Sequence, residues 1–192
     1  MELPPELKSP LLPDLSVDEL ADHERESGQS FFDNMLMLQR WSFDFSSSAG
    51  LFDWASKPPA TDMKGQWCFI AARNGALALR HYSESLAAAR ESLGQVSRWQ
   101  EAVEDSILAD VQQQFGKRFP GVEKMRTTLC TMSDSEAASH GKVNDCLFGH
   151  NYMSTSEGRT VAYDLTFQNA AFLTDLTKKA YESLQPLYAE QL

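Results

Sequence analysis

Residues 66–93 carry a row of apolar, small and aromatic side chains that recurs at alternating steps of four and three. The row consists of Cys68, Ala72, Gly75, Leu79, Tyr82, Leu86, Ala89 and Leu93. This spacing predicts a long α-helix with one side packed against a neighbouring helix. Ile70 and Leu77 lie on the opposite side, and apolar residues on both sides are typical of a central helix. Gly94 is placed to end it.

A second long helix is predicted over residues 97–118. Its apolar row has a similar spacing and consists of Val96, Trp99, Val103, Ile107 or Leu108, Val111 and Phe115. Because the connection at Gly94 is short, the two helices are expected to form an antiparallel helical hairpin. A shorter amphipathic helix is predicted after the turn at Pro120 and Gly121, from Val122 to Met132.

The C-terminal part of the chain predicts a β-hairpin followed by a helix. The hairpin spans about residues 146–166, because β-branched and aromatic residues lie on both sides of the turn residues Glu157 and Gly158. The helix spans about residues 167–185. Its apolar row consists of Phe172, Leu173, Leu176, Ala180, Leu184 and Leu187.

The N-terminal region predicts shorter elements. Four prolines favour an extended tail over residues 1–15. Ser16 and Glu19 form a capping box that starts a short helix, and Gly28 is placed to end this helix after residue 27. The apolar positions from Phe31 onward predict a helix to about Trp41.

Residues 41–59 predict irregular structure. Trp41, Phe43 and Phe45 alternate with polar residues, a pattern compatible with a short extended segment. The stretches SSSAG and SKPPAT predict a loop that is anchored by Phe52 and Trp54. Together, the patterns favour a mainly α, single-domain bundle over residues 16–192. It has four to five helices around a central helical hairpin, and one small β-hairpin before the C-terminal helix.

The acidic composition narrows the classes of partner. The formal net charge is −10 at pH 7, which argues against broad contact with nucleic acid or an anionic membrane. The three cysteines show no CxxC spacing, so neither a disulfide framework nor a zinc ribbon is indicated. No stretch resembles a signal peptide or reaches the roughly 20 apolar residues of a membrane-spanning helix. A soluble, cytoplasmic protein is expected.

Three polar or aromatic residues line one flank of the predicted central helix. Trp67, Asn74 and His81 follow one another at steps of seven, and therefore lie about 10 Å apart along the helix. Two interpretations are open: hydrogen-bonded groups at a helix contact, or a polar pocket that binds a small ligand. Arg80 and Glu84 are one turn apart and predict an ion pair.

No catalytic or metal-binding motif is complete in the sequence. The signatures of common hydrolases, nucleotide-binding proteins and zinc proteases are missing. His140, Cys146 and His150 supply zinc-ligating atoms, but their spacing matches no ligand pattern. No metal and no cofactor are therefore predicted.

A basic cluster surrounds the end of the second long helix and consists of Lys117, Arg118, Lys124 and Arg126. Four basic side chains could hold a phosphate group. They could equally form a solvated surface that complements the negative end of the helix dipole.

Two segments resemble the HEPN superfamily of small helical bundles. They are WCFIAARNGALALRHYSESL in the central helix and the arginine-bearing VEKMRTTLCTMS, which precedes the hairpin and the terminal helix. The resemblance covers residues 30–185. It implies a commonly dimeric bundle that is either a metal-independent ribonuclease or a non-catalytic partner in toxin–antitoxin and defence systems.

The catalytic signature of that superfamily is incomplete here. It consists of an arginine, often followed by a polar residue, and a histidine on the same helix after four to six intervening residues. Arg126 and Thr127 match the first two places, but threonine, methionine and serine occupy positions 131–133, and His140 is fourteen residues from Arg126. Because threonine cannot exchange protons near neutral pH, the resemblance implies that enzyme activity is lost.

The sequence favours a non-catalytic, HEPN-like interaction module that binds a second copy of itself or another protein. Aromatic residues are enriched at such interfaces, and the expected ones here are Trp41, Phe43, Trp54 and Trp99. The same aromatics could instead close the core of the bundle.

Two alternative functions follow from other residues. One is a metal-independent ribonuclease or RNA-binding protein in which Arg126 acts with His140 or His81. The other is a small-ligand-binding bundle whose pocket is bounded by Trp67, Asn74 and His81.

Overall fold

The computed structural model describes residues 17–18, 20–59, 61–122, 144–156 and 159–189. The helices in this part of the chain are α1 (Arg25–Ser56), α2 (Asp62–Leu93), α3 (Ser97–Ala102), α4 (Asp105–Arg118), α5 (Phe167–Glu182) and α6 (Gln185–Ala189). The strands are β1 (Asn144–Phe148), β2 (Asn151–Ser156) and β3 (Arg159–Asp164). The predicted mainly helical fold, with a small β element before the C-terminal helix, is confirmed.

The longest helix pair is an antiparallel hairpin of α1 and α2. Ser30 near the start of α1 lies 3.0 Å from Ser92 at the end of α2, measured between the two hydroxyl oxygens. At the other end, the Lys64 ammonium lies 5.4 Å from the centre of the Trp54 ring. The hairpin was expected between α2 and residues 97–118, but α2 packs most extensively on α1.

α1 is continuous where the sequence predicted a break, an extended segment and a loop. Gly28 does not end a helix. It lies inside α1, and a side chain at this position would clash with Leu20 and crowd Trp99. In the serine-rich stretch, the Ser46 and Ser48 hydroxyls donate hydrogen bonds to the carbonyl oxygens four residues earlier, at 2.9 and 2.8 Å. These small residues are buried, so α1 comes close to its neighbours there.

The predicted apolar row of α2 forms the centre of the core. Every member from Ala72 to Leu93 is buried, and Cys68 is half-buried. The helix begins at Asp62, where the Thr61 hydroxyl accepts a hydrogen bond from the Lys64 backbone N–H at 3.2 Å. The expectation that both sides of α2 pack inside the protein is wrong, because Ile70 is exposed.

The second long helix is divided into α3 and α4. Val103 and Glu104 adopt non-helical backbone angles between the two, although no glycine or proline marks the break. The apolar row nevertheless stays on one side, since Val96, Trp99 and Phe115 are all buried.

The β element has three antiparallel strands in the order β1-β2-β3. The predicted hairpin corresponds to β2 and β3, in which Ser156 pairs with Arg159, and β1 is an additional strand. The Tyr163 hydroxyl donates a hydrogen bond to the Ala72 carbonyl oxygen, which joins β3 to α2. α5 covers the core from another side and packs against α1 and α4.

Several predicted features lie outside the described residues. These are the tail over residues 1–15, the capping residues Ser16 and Glu19, the helix residues 123–132 and the turn at residues 157–158.

Candidate functional site

A second row of side chains follows α2 on the side opposite the core row. It also has steps of four and three, and consists of Met63, Trp67, Ile70, Asn74, Leu77 and His81. At 3.6 residues per turn, this row lies roughly half a turn of the helix away from the core row. Met63, Trp67 and Ile70 expose 68%, 40% and 43% of their surface. We call this row the outer strip of α2.

α1 contributes the other half of the same surface. Its α1 side chains are Trp41, Asp44, Ser47 and Leu51, which lie beside Asn74 and Leu77, and Trp54, whose ring lies beside Lys64 near the start of α2. We call the outer strip together with these five residues the outer face of the hairpin. Trp54 is 45% exposed, and Trp41 and Leu51 are half-buried. The outer face therefore exposes large apolar side chains from both helices.

A groove of about 380 Å³ lies in the middle of the outer face, between the two helices. It exists because the residues at its base, Ser48 and Ala78, are small and buried. Leu51 and Leu77 supply apolar surface, and Asp44 is the charged residue among those that line it. The groove thus combines an apolar lining with a few polar groups, as binding sites commonly do.

An aromatic pair lies beside the groove, and one of its members, Trp41, lines it. The Trp41 and His81 rings stack with their centres 4.7 Å apart and an angle of 28° between their planes. His81 Nδ1 lies 2.9 Å from Glu84 Oε2, and Arg80 Nε donates to Glu84 Oε1 at 2.8 Å. Burial tends to raise the pKa of Glu84, but the hydrogen bonds from Arg80 and His81 hold it below its ordinary value. The predicted Arg80–Glu84 ion pair is confirmed.

Trp67, Asn74 and His81, the residues of the alternative ligand pocket, all lie on the outer strip, but they do not contribute equally to the groove. Asn74 borders the groove, whereas Trp67 and His81 are not among its lining residues. His81 is bonded to Glu84 on its own helix. Asn74 is exposed, and its amide makes no hydrogen bond within the described part of the chain. No partner among the described residues holds Asn74 at a helix contact, so that interpretation stays a prediction.

The expected interface aromatics also fall into different environments. Phe43 is 50% exposed but lies two positions from Trp41, which turns it away from the outer face. Trp99 is only 5% exposed and packs on Phe31 with a ring-centre distance of 5.7 Å. Trp99 thus belongs to the core, and its assignment to an interface is wrong.

The structure describes two members of the basic cluster, Lys117 and Arg118. The other two, Lys124 and Arg126, lie outside the described residues. Arg118 Nε donates to Asn169 Oδ1 at 2.7 Å, and its guanidinium lies 5.8 Å from the centre of the Phe172 ring. Arg118 thus connects the end of α4 to α5. Lys117 is exposed.

The remaining chemical candidates do not form a site among the described residues. His140 lies outside them, so its relation to Arg126 stays a prediction. Cys146 is exposed on β1, and the His150 ring packs 5.0 Å from the Phe52 ring. No three His, Cys, Asp or Glu side chains come together in a metal-binding arrangement within the described part of the chain.

The sequence contains a signal for the outer face. Four-and-three spacing connects Met63 and Trp67 to Ile70 and Leu77. Apolar residues on both sides of a helix are typical both of a central helix and of a helix with a second, exposed apolar side. No described helix combines the length and apolar composition that crossing a bilayer requires. Comparisons with protein-family models, with curated proteins and with solved structures found no match for this chain.

Proposed function

We propose that this protein is a non-catalytic helical interaction module that self-associates through the outer face of the α1–α2 hairpin. The observation that carries the proposal is the exposed row Met63, Trp67 and Ile70, which continues into the apolar groove beside Leu77. Large contiguous apolar patches are uncommon on monomeric proteins, and neighbouring large apolar side chains that stay exposed are typical of an interaction surface.

The chemistry of the outer face supports a protein partner. Trp and Met are enriched at protein interfaces, and charged residues are depleted at their centres. The six residues that form the outer strip include no Lys, Arg, Asp or Glu. A buried partner surface could therefore cover it without stripping water from unpaired charges.

The distribution of charge supports a second copy as that partner. Two chains with a net charge of −10 repel each other, so contact is favoured where the local charge is small. Beside the outer strip, the negative charges of Glu84 and Asp44 are paired, because Arg80 Nε lies 2.8 Å from Glu84 and Arg40 Nε lies 3.9 Å from Asp44. Lys64 and Arg73 add positive charge on the same helix, which lowers the repulsion between two acidic chains there. An exposed two-helix layer can also pair with its own copy to form a four-helix arrangement.

Sedimentation equilibrium over a range of concentrations tests the proposal. We expect the unmodified protein to form dimers and Ile70→Glu to be monomeric, because a carboxylate would be buried in the interface. Phe43→Glu is the matched control, since Phe43 is exposed on α1 but away from the outer face. An unmodified protein that stays monomeric at every concentration would contradict the proposal.

The HEPN-like assignment and the ribonuclease alternative remain predictions, because Arg126 and His140 lie outside the described residues. The small-ligand alternative has one observation in its favour, which is the groove beside Asn74. The exposed apolar residues beyond that groove favour a larger partner.

A further inference from the structure

We infer that two copies of α2 pack antiparallel, with Trp67 of each copy seated in the groove beside Asn74 of the other. This inference rests on the proposed self-association and adds a defined arrangement to it. It follows from three features of the outer face, which are the order of the residues along α2, the chemistry of the groove and the exposure of Trp67.

The order of the residues fits a two-fold axis. Trp67 and Asn74 lie on opposite sides of Ile70 in the outer strip, about 10 Å apart along the helix. If two copies of α2 lie antiparallel with their two-fold axis beside Ile70, at the height midway between positions 70 and 71, position 67 of one copy lies opposite position 74 of the other. The same arrangement brings Met63 opposite Ala78 at the base of the partner's groove, so each copy gives and receives equivalent contacts.

The groove has the chemistry that an indole requires. Its volume of about 380 Å³ lies in the range of small-molecule sites, which is enough for one indole. Leu51 and Leu77 offer apolar surface to the ring, and Trp41 offers an aromatic neighbour.

The indole N–H also has candidate acceptors there. It is a donor only, and a buried one needs a partner. Asp44 and Asn74 both line the groove. Within the described part of the chain, the Asn74 amide makes no hydrogen bond, and the nearest base to the Asp44 carboxylate is Arg40 Nε at 3.9 Å.

Trp67 is suited to be the inserted residue. It is 40% exposed, although it is among the largest apolar side chains of the chain. Tryptophans that fill a desolvated pocket commonly dominate the affinity of an interface. Because the two-fold axis repeats the contact, removing Trp67 would remove two such contacts from each dimer.

The test uses two variants, each of which is expected to lose homodimer formation on its own and to form a heterodimer with the other. Trp67→Ala removes the inserted residue, and Ser47→Trp fills the groove from its own chain, because Ser47 is exposed at its edge. We expect each variant alone to dimerise about 100-fold more weakly or worse. Ser47→Ala is the control and should dimerise normally. Circular dichroism should show the same helical content for all of them.

Mixing the two variants gives the distinguishing result. The Ser47→Trp chain still carries Trp67, and the Trp67→Ala chain still has an open groove, so a heterodimer recovers one of the two contacts. Native mass spectrometry, which resolves the two masses, should therefore detect heterodimers at concentrations where each variant alone is monomeric.

The failures of the two proposals can be told apart. If the unmodified protein dimerises and Trp67→Ala dimerises equally well, the insertion of Trp67 into the groove is overturned, whereas the proposed self-association is not. If each variant alone is monomeric and their mixture gives no heterodimer, the arrangement in which Trp67 of each copy enters the groove of the other is overturned. If the unmodified protein is a monomer, both the arrangement and the proposed function are wrong.

Discussion

At the scale of single residues, Gly75 sets how closely the sheet approaches α2. A Cβ atom at this position would lie 2.8 Å from Leu165 Cδ1 and 2.9 Å from the Tyr163 hydroxyl oxygen. Both neighbours are buried, and Tyr163 is also bonded to the Ala72 carbonyl oxygen. The absence of a side chain at Gly75 is therefore what lets β3 and its following residue pack onto the helix.

We expect Gly75→Ala to lower the free energy of unfolding by about 1–3 kcal/mol, because an added methyl group would overpack the contact with Leu165 and Tyr163. The matched control is Gly116→Ala in α4, where no atom lies within 4 Å of the new Cβ. That substitution should leave stability unchanged or raise it by up to about 1 kcal/mol. Urea denaturation measures both. Equal effects of the two substitutions would rule out the packing role of Gly75.

Single-residue burial could be predicted along α2 but not for the aromatics. The row from Ala72 to Leu93 was predictable because helical spacing records which side of a helix is buried. Trp99 and Phe43 look alike in the sequence, yet one packs against Phe31 and the other is half-exposed. Their burial depends on which elements become neighbours, and residue spacing carries no information about that.

At the scale of elements, α1 shows where tertiary contacts override local signals. Its glycine and serine positions resemble turns and loops. In the fold, Ser42, Ser46 and Ala49 are buried, and the Ser42 hydroxyl lies 3.3 Å from that of Thr174 in α5. Small side chains here permit close helix packing, and this packing supplies stability that the local propensity lacks.

Arg90 connects the end of α2 to the start of α4, which are separated in the chain by the short helix α3. Its guanidinium, at the end of α2, donates two hydrogen bonds to the Asp105 carboxylate at the start of α4, both of 2.9 Å. It donates a third to Gln112 at 2.7 Å. These contacts span the short helix α3 and fix the position of α4 relative to α2.

The Arg90–Asp105 pair should make stability depend on acid pH. The hydrogen bonds from Arg90 hold the pKa of Asp105 below its ordinary value of 3.8. A carboxyl group with a lower pKa in the folded chain stabilises the fold above the unfolded-state pKa. That contribution is lost as the pH falls through the folded-state pKa. Because the two side chains are 31% and 55% exposed, the effect is small.

We expect Arg90→Gln to lower the free energy of unfolding by less than about 1 kcal/mol at pH 7. The difference from the unmodified protein should shrink as the pH falls below about 4, since Asp105 then becomes protonated in both proteins. Urea denaturation at a series of pH values measures this. NMR titration of Asp105 should also show its pKa rising toward 3.8 in the variant. A difference that is constant with pH would contradict this role of the pair.

At the scale of the whole molecule, the mainly helical fold class was predictable and the pairing of the helices was not. Apolar spacing identified α2, and the sheet was expected in the correct part of the chain. Apolar spacing does not indicate that α2 packs on α1 rather than on α3 and α4, because pairing depends on how well two surfaces fit. The outer face is formed by two helices together, with Trp41 of α1 stacked on His81 of α2, so it cannot be predicted from either helix alone.

The charge of the whole chain and the neutrality of one surface together define the proposed function. Because each chain has a net charge of −10, electrostatic repulsion disfavours contact between two copies over most of the surface. The outer strip has no formally charged residue and exposes Met63, Trp67 and Ile70. Self-association should therefore bury this face and leave the rest of the molecule in contact with solvent.

Hydroxyl-radical footprinting at low and high protein concentration tests this central claim most directly. Met63 and Trp67 are 68% and 40% exposed in the single chain, so both should be oxidised readily when the protein is dilute. Phe43, which is 50% exposed outside the outer face, is the internal reference. We predict that association slows the oxidation of Met63 and Trp67 several-fold relative to Phe43. Unchanged relative rates at all three residues would contradict burial of the outer face.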